Sequence, residues 1–260
     1  NYNFFERLKF AFSNITSTSL FSKIINLINK KTISNSIQNN YGVNFKDKIV
    51  FIPHHISHIS SSFLTSGYKD AVGLSIDATG DFSSMEISTY KNNKINVIEK
   101  NLYPHSLGIL YQAISQFLGF KNYGDEYKVM GLAPYGEAKY LKELSKIIQK
   151  TDDGFFKLNK KYFKHFKSGV AMDWENGEPK IDLLFTKQWE VLFWSARNMR
   201  DDIKQFHIDL ATSVQRFTEQ MIFYILTKLQ RKTGLVNLCI TGGVAQNSVA
   251  NGKILSHTPF

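Results

Sequence analysis

Three histidines within five residues form the densest chemical signal in the chain, Pro53-His54-His55-Ile56-Ser57-His58. On a helix, positions i and i+4 share a face, so His54 and His58 can bring two ring nitrogens to one divalent ion. Imidazole suits zinc, iron, manganese or nickel. A zinc-protease motif needs Glu directly after the first histidine, and that position is His55, which disfavours a zincin. The same spacing fits two half-exposed histidines that stack or hydrogen-bond. A second signal, Ile76-Asp77-Ala78-Thr79-Gly80-Asp81, puts a carboxylate at a strand end before a Gly-containing turn. Several nucleotide-binding folds hold a phosphate–metal pair in this way, although an ordinary Asp–Gly hairpin turn explains these residues better when they are taken alone. The third signal, Leu238-Cys239-Ile240-Thr241-Gly242-Gly243-Val244-Ala245-Gln246-Asn247, reads as a buried strand, a double-Gly turn and a helix. Backbone N–H groups there can approach an anion or a nucleotide, or the turn can serve packing. It is neither GxGxxG nor a P-loop with its Lys. Finally, Gly124 to Gly136 crowds charge, aromatics and glycine into one loop-like stretch, the kind that touches ligands.

The elements that must position these residues follow from periodicity. Phe5, Leu8 and Phe12 share one helical face, and Phe21, Ile24, Ile25 and Ile28 share another, which predicts an N-terminal helical segment over 1–45 with Thr32–Asn40 as a polar linker. The rest, 46–260, forms the main domain. Ile49–Pro53 reads as a short strand and His54–Thr65 as a helix. In Ala71–Asp77, Val72, Leu74 and Ile76 alternate with Gly73, Ser75 and Asp77, so one strand face is bulky and the other leaves space. A turn at Ala78–Asp81, a strand at Ser84–Tyr90, a turn at Lys91–Lys94 and a strand at Ile95–Lys100 complete a three-stranded meander. Ser106 is suited to cap a helix at Leu107–Leu118 that Gly119 stops. Lys139–Lys150 and Asp209–Thr233 read as helices, Val236–Ile240 as a buried strand and Val244–Lys253 as a further helix, while Thr151–Pro179 shows no clear period.

Composition narrows the class. The balance is 32 Lys and Arg against 22 Asp and Glu, a net charge of +10, with 43% hydrophobic residues, which excludes a disordered chain. The lysines are dispersed rather than gathered into an arm, so Lys-, Asn-, Ile- and Phe-rich composition explains the charge better than nucleic-acid binding does. Cys239 is the single cysteine, which excludes an intramolecular disulfide and a thiolate metal site. Apolar runs such as Met221–Leu226 fall far short of the ~20 residues that span a bilayer.

Taken in order, His54 to His58, Ile76 to Asp81, Pro104-His105-Ser106-Leu107-Gly108, Gly124 to Gly136 and Gly242 to Gly252 resemble the O-carbamoyltransferase family. Its members include the nodulation protein NodU and the antibiotic-tailoring enzymes CmcH and TobZ. The likeness runs from about Ile49 to the chain end and is weak over Thr151–Asn198. It implies an α/β fold of the actin-like ATPase (sugar kinase, Hsp70 and actin) superfamily, incomplete here, shared with tRNA threonylcarbamoyl-transfer proteins. It further implies that His54 and His58 bind a catalytic divalent metal, iron ahead of zinc or manganese, with Asp77 as the strand-end carboxylate that orients metal-bound water or phosphate and serves as general base toward the acceptor hydroxyl. Gly242, Gly243 and Asn247, with Lys128 and Gly80, are assigned by the resemblance to the nucleotide. The implied reaction takes ATP and carbamoyl phosphate through carbamoyl-adenylate to a hydroxyl-bearing acceptor, in the cytoplasm, with neither nucleic acid nor membrane involved and a homodimer compatible. The family's first strand, a later carboxylate-bearing motif and the YrdC-like domain that makes the adenylate have no counterpart in the 260 residues, so the expectation is the central part of a longer enzyme. A non-catalytic ATP-binding module of the same fold and a tRNA threonylcarbamoyl-type protein are the alternatives.

Overall fold

The computed structural model describes residues 31–42 and 48–260. The helical faces expected over Phe5–Ile28 lie outside the described residues. The Thr32–Asn40 linker is instead helical: α1 spans Lys31–Tyr41 and ends at Gly42, whose φ of +68° suits glycine. A polar stretch free of Pro and Gly keeps helical geometry open to it, and composition alone hides that.

A four-stranded mixed sheet organises the rest, with β1 at Ala71–Gly80, β2 at Ser83–Lys91, β3 at Lys94–Leu102 and β8 at Leu238–Thr241, in the order β3-β2-β1-β8. The first three strands are the expected antiparallel meander, and β8 runs parallel to β1 with Ser75 beside Thr241. β1 extends past Asp77 through an irregularity between Ile76 and Gly80, so the turn tightens to Asp81-Phe82, both with positive φ. Such a two-residue loop matches the right-handed twist of its strands. Residues 49–53 form no strand: Val50, Phe51 and Ile52 are exposed and no described strand pairs with them.

The two faces of β1 are both covered. Val72, Leu74 and Ile76 point into the main core with α3 (Leu107–Phe117) and α8 (Gln205–Thr233). The other face, expected to leave space over Gly73 and Ser75, is filled by α2 (His54–Ser66). A Cβ on Gly73 would sit 2.7 Å from Ile59 Cγ2, and Ser75 Oγ donates to His55 Nδ1 at 2.8 Å. Small residues there admit a helix, not a ligand.

Ser106 caps α3 by accepting from Ile109 N, and every residue of that helix except Gly108 is buried. α8 starts four residues before Asp209, because Lys204 N donates to His207 Nδ1 and closes its first turn. Its 29 residues run ~43 Å. Between α3 and α8 come α4 (Glu126–Leu132), α5 (Leu141–Ile147), β4 (Ile148–Lys150), β5 (Phe156–Leu158), α6 (His165–Ser168), β6 (Met172–Glu175), β7 (Glu178–Ile181) and α7 (Gln188–Leu192). The basic helix expected over Lys139–Lys150 therefore stops early, its last turn drawn into the β4–β5 hairpin. Phe117 gathers Phe185, Trp189, Phe193 and Trp194 around its ring and so docks the aperiodic region on α3. After β8, the helix expected over Val244–Lys253 breaks into a 3₁₀ turn and the short α9 (Ser248–Asn251) and α10 (Ile254–His257), since Asn247 ends one and caps the next. Val236, expected in the strand, is exposed before it. Among the described residues no helix is long and apolar enough to cross a membrane.

Candidate active site

α2 carries two adjacent stripes. His55, Ile59 and Phe63 are buried against the sheet, while His54 and His58, about 100° around the helix, reach past its edge toward the end of β1. Both present Nε2 to the same atom, Asp77 Oδ2, at 3.1 and 3.0 Å. The three donor atoms lie within 4.8 Å of one another, and the set, two imidazoles and a carboxylate, suits a divalent ion. The sequence pairing of His54 with His58 is thus met geometrically, with Asp77 added to it. His55 stands apart: its Nε2 donates to Ser83 O, and burial holds its pKa below the usual histidine value.

The positioning devices are local. His54 N donates to Asp81 Oδ2 at 2.7 Å, so the strained turn caps the first turn of α2, which Pro53 cannot cap itself. Gly80 lies under the His54 ring, where a Cβ would stand 2.0 Å from Cδ2. Gly80, assigned to the nucleotide, is thereby placed beside the histidines and outside the pocket described next.

Asp77 Oδ1 turns the other way. It accepts from Ala78 N at 2.8 Å and lies 3.0 Å from where a Gly243 Cβ would be. Burial pushes the Asp77 carboxyl up, but the Ala78 N–H, the His54 hydrogen bond and the charges of His54 and His58 outweigh it and hold the group below the ordinary carboxylate range. Above Oδ1 opens a cavity of about 420 Å³ at the carboxyl ends of the parallel strands β1 and β8. Ligands favour that place in open α/β sheets. Asp77, Gly108, Glu126, Gly243 and Asn247 line it, and the exposed rings of Tyr123 and Tyr127 stand at its rim.

Glycines make this closeness sterically feasible. A Cβ at Gly242, whose φ is +95°, would strike Ile76 O at 2.3 Å. One at Gly108 would meet Ala78 Cα at 2.6 Å, so the first turn of α3 seats directly on the bend, and Ser106 Oγ donates to Asp77 O at 3.2 Å. Asn247 lines the pocket, yet its amide is engaged by the fold: it exchanges two hydrogen bonds with Gln215 and accepts from Ala250 N. Lys128 lies outside the lining, its ammonium 2.6 Å from Asp125 Oδ1.

Two residues were not singled out by sequence reasoning, the first although it lies in the Gly124 to Gly136 stretch. Glu126 lines the pocket with its pKa raised by burial and by the Asp125 charge. Gln215 accepts from Tyr111 OH, pairs with Asn247 and donates to Glu219, tying α3, α8 and the post-β8 turn together. The signal for the second was polar residues on the buried face of α8: Asp209, Ser213, Gln215, Thr218 and Glu219.

Comparison with known proteins gives the family. The family model described as "Carbamoyltransferase N-terminus" matches residues 9–260. An uncharacterised protein of Synechocystis is 35% identical over 82% of the chain and 33% of its own length. Nodulation protein NolNO of Sinorhizobium fredii is 31% identical over 80% of the chain and 27% of its length. Nodulation protein NolO of Bradyrhizobium diazoefficiens is 30% identical over 78% and 33%. The chain thus spans about a third of the length of these relatives, and it belongs to the carbamoyltransferase family, within the part described as its N-terminus.

Proposed function

We propose that the chain is the acceptor-carbamoylating part of an O-carbamoyltransferase, with an actin-like ATPase architecture and carbamoyl-adenylate as donor. The observation that carries this reading is the double use of Asp77, whose Oδ2 meets both histidines while Oδ1 faces the strand-end pocket beside Gly243. The donor adenylate, made by a YrdC-like domain from ATP and carbamoyl phosphate, lies in this pocket, and the acceptor is a small molecule or sugar with a free hydroxyl. The mixed sheet with its pocket at the ends of a parallel pair supports the actin-like assignment.

His54, His58 and Asp77 hold a divalent metal, iron before zinc or manganese, and when bound it supplies Lewis-acid polarisation of the donor. The chain's own residues do the rest. The Gly242-Gly243 turn lets the donor approach the backbone, and the walls of the pocket orient it against the acceptor. The acceptor oxygen bonds to the carbamoyl carbon, the carbon–oxygen bond to the phosphate breaks, and AMP leaves. The hydroxyl proton goes to a carboxylate. Asp77 and Glu126 are the two carboxylates that line the pocket. Asp77, held below its ordinary pKa, suits the role of charged ligand, whereas Glu126, held above it, is the better proton acceptor.

In the full-length enzyme, Glu126→Gln should lower carbamoyl transfer from pre-formed carbamoyl-adenylate by ~100-fold or more while leaving metal content unchanged. Asp77→Asn should lower both. Transfer at the wild-type rate by both variants would overturn the reading.

A further inference from the structure

A second cavity, about 270 Å³, shares no lining residue with the Asp77 pocket. It lies where the C-terminal half of α3 meets the loops around α7, with Gln116 contributed by α3. Four cations line it: Lys121, Lys164, Lys187 and Arg197. Glu190 is the single carboxylate in the lining, and its Oε1 already accepts from Ala196 N at 3.4 Å.

Arg197 makes the pocket more than a patch of surface lysines. Its side chain is held in place by Nε donating to Leu118 O at 2.6 Å, by Nη1 donating to Asp201 O and by the Phe120 ring 5.2 Å away. Only 7% of the residue is exposed, yet among the described residues no carboxylate is ion-paired with it and Nη2 makes no hydrogen bond. A guanidinium held only by carbonyls keeps its full charge, and its unbonded Nη2 leaves a donor that an anion can take up. Gly119 is fitted to that arrangement, since a Cβ there would lie 3.0 Å from Nη2. Planar guanidinium donors flanked by mobile ammonium groups are the usual chemistry for phosphate oxygens.

We infer that this pocket binds the phosphate group of a small molecule, free phosphate included, at a site separate from the carbamoyl-transfer centre. Its volume exceeds that of one phosphate group, so the substituent of a phosphate monoester also fits.

The test is calorimetric titration of the chelator-treated protein with inorganic phosphate and, in a second arm, with glucose 6-phosphate, at constant ionic strength. Saturable binding is expected in at least one arm, weakened ~10-fold or more by Lys164→Gln/Lys187→Gln, whose side chains are exposed and make no bond within the described fold. The monoester binding more tightly identifies an ester as the ligand, and equal affinities identify the phosphate group alone. Arg197→Met should abolish binding, and where that variant fails to fold the lysine pair decides. No saturable binding in either arm, or equal affinity in the wild type and the folded lysine variant, would overturn the inference. Because the metal is removed and the carbamoyl-transfer residues are untouched, failure here leaves the proposed transferase reading standing.

Discussion

Asp77 divides its two oxygens between two tasks, and that division decides how neighbouring substitutions behave. Gly80 matters to Oδ2 only through His54: a methyl at Gly80 would overlap the imidazole and swing it off the carboxylate. Gly80→Ala should therefore lower bound metal about as much as His54→Ala or His58→Ala, read by elemental analysis of the purified protein. His55→Ala should behave oppositely. It keeps the metal ligands but deletes a buried ring with hydrogen bonds to Ser75 and Ser83, a loss of about 2–4 kcal/mol in chemical denaturation. Equal metal content in the Gly80, His54 and His58 variants and the wild type would remove the three-ligand assignment.

At the scale of elements, what could be read in the sequence was whatever depended on local chemistry. The meander, the Ser106 cap and the long α8 stripe follow from alternation, a hydroxyl and a 3.6-residue period, and all are present. The i, i+4 histidines were legible for the same reason, and the family motifs named Asp77. Elements that depend on distant partners were not legible. Residues 49–53 have strand-like composition but no described strand beside them, and the last turn of the expected Lys139–Lys150 helix is taken by β5. The space read above Gly73 was real, yet only the packing of α2 shows that Ile59 fills it. Gln215 stayed hidden because its partners, Tyr111 and Asn247, are 104 and 32 residues away. The turn after β8 offers a sharp stability test. Gly242→Ala adds a Cβ at positive φ and against Ile76 O, so it should destabilise by more than about 1 kcal/mol, whereas Gly131→Ala, with open space around it, should not. Comparable melting temperatures for the two variants would show that the β1–β8 end tolerates a wider approach.

Over the whole molecule, two histidines removed from water make stability fall as pH falls. His105 and His165, outside the Asp77 pocket, are each held near a pKa of about 4, chiefly by burial. His105 Nδ1 accepts from Leu158 N, which only a neutral ring can do, whereas His165 Nε2 donates to Pro104 O and its buried Nδ1 has no acceptor that would stabilise a second proton. Their folded values lie below the unfolded value of 6.5, so the unfolded chain binds more protons as pH falls. Stability from these groups is complete above pH 6.5 and is lost as pH drops toward about 4, on the order of 3 kcal/mol for each ring. Urea unfolding of His105→Gln/His165→Gln should show a flatter dependence over that window than the wild type, and the same slope would assign the acid loss to other groups. One helix also joins the two cavities. α3 gives Gly108, Tyr111 and Gln112 to the first and Gln116 to the second, with ~12 Å of axis between the outermost two. Because all but one of its residues are buried, it has little freedom to adjust at one end alone. Thermodynamic reciprocity then binds the two sites: whatever factor an occupant of one applies to the affinity of the other must be returned unchanged in the opposite direction. A factor of one would mean that α3 is a rigid partition, and any other value would mean that a phosphate compound in the second cavity tunes the affinity of the Asp77 pocket for its own occupant.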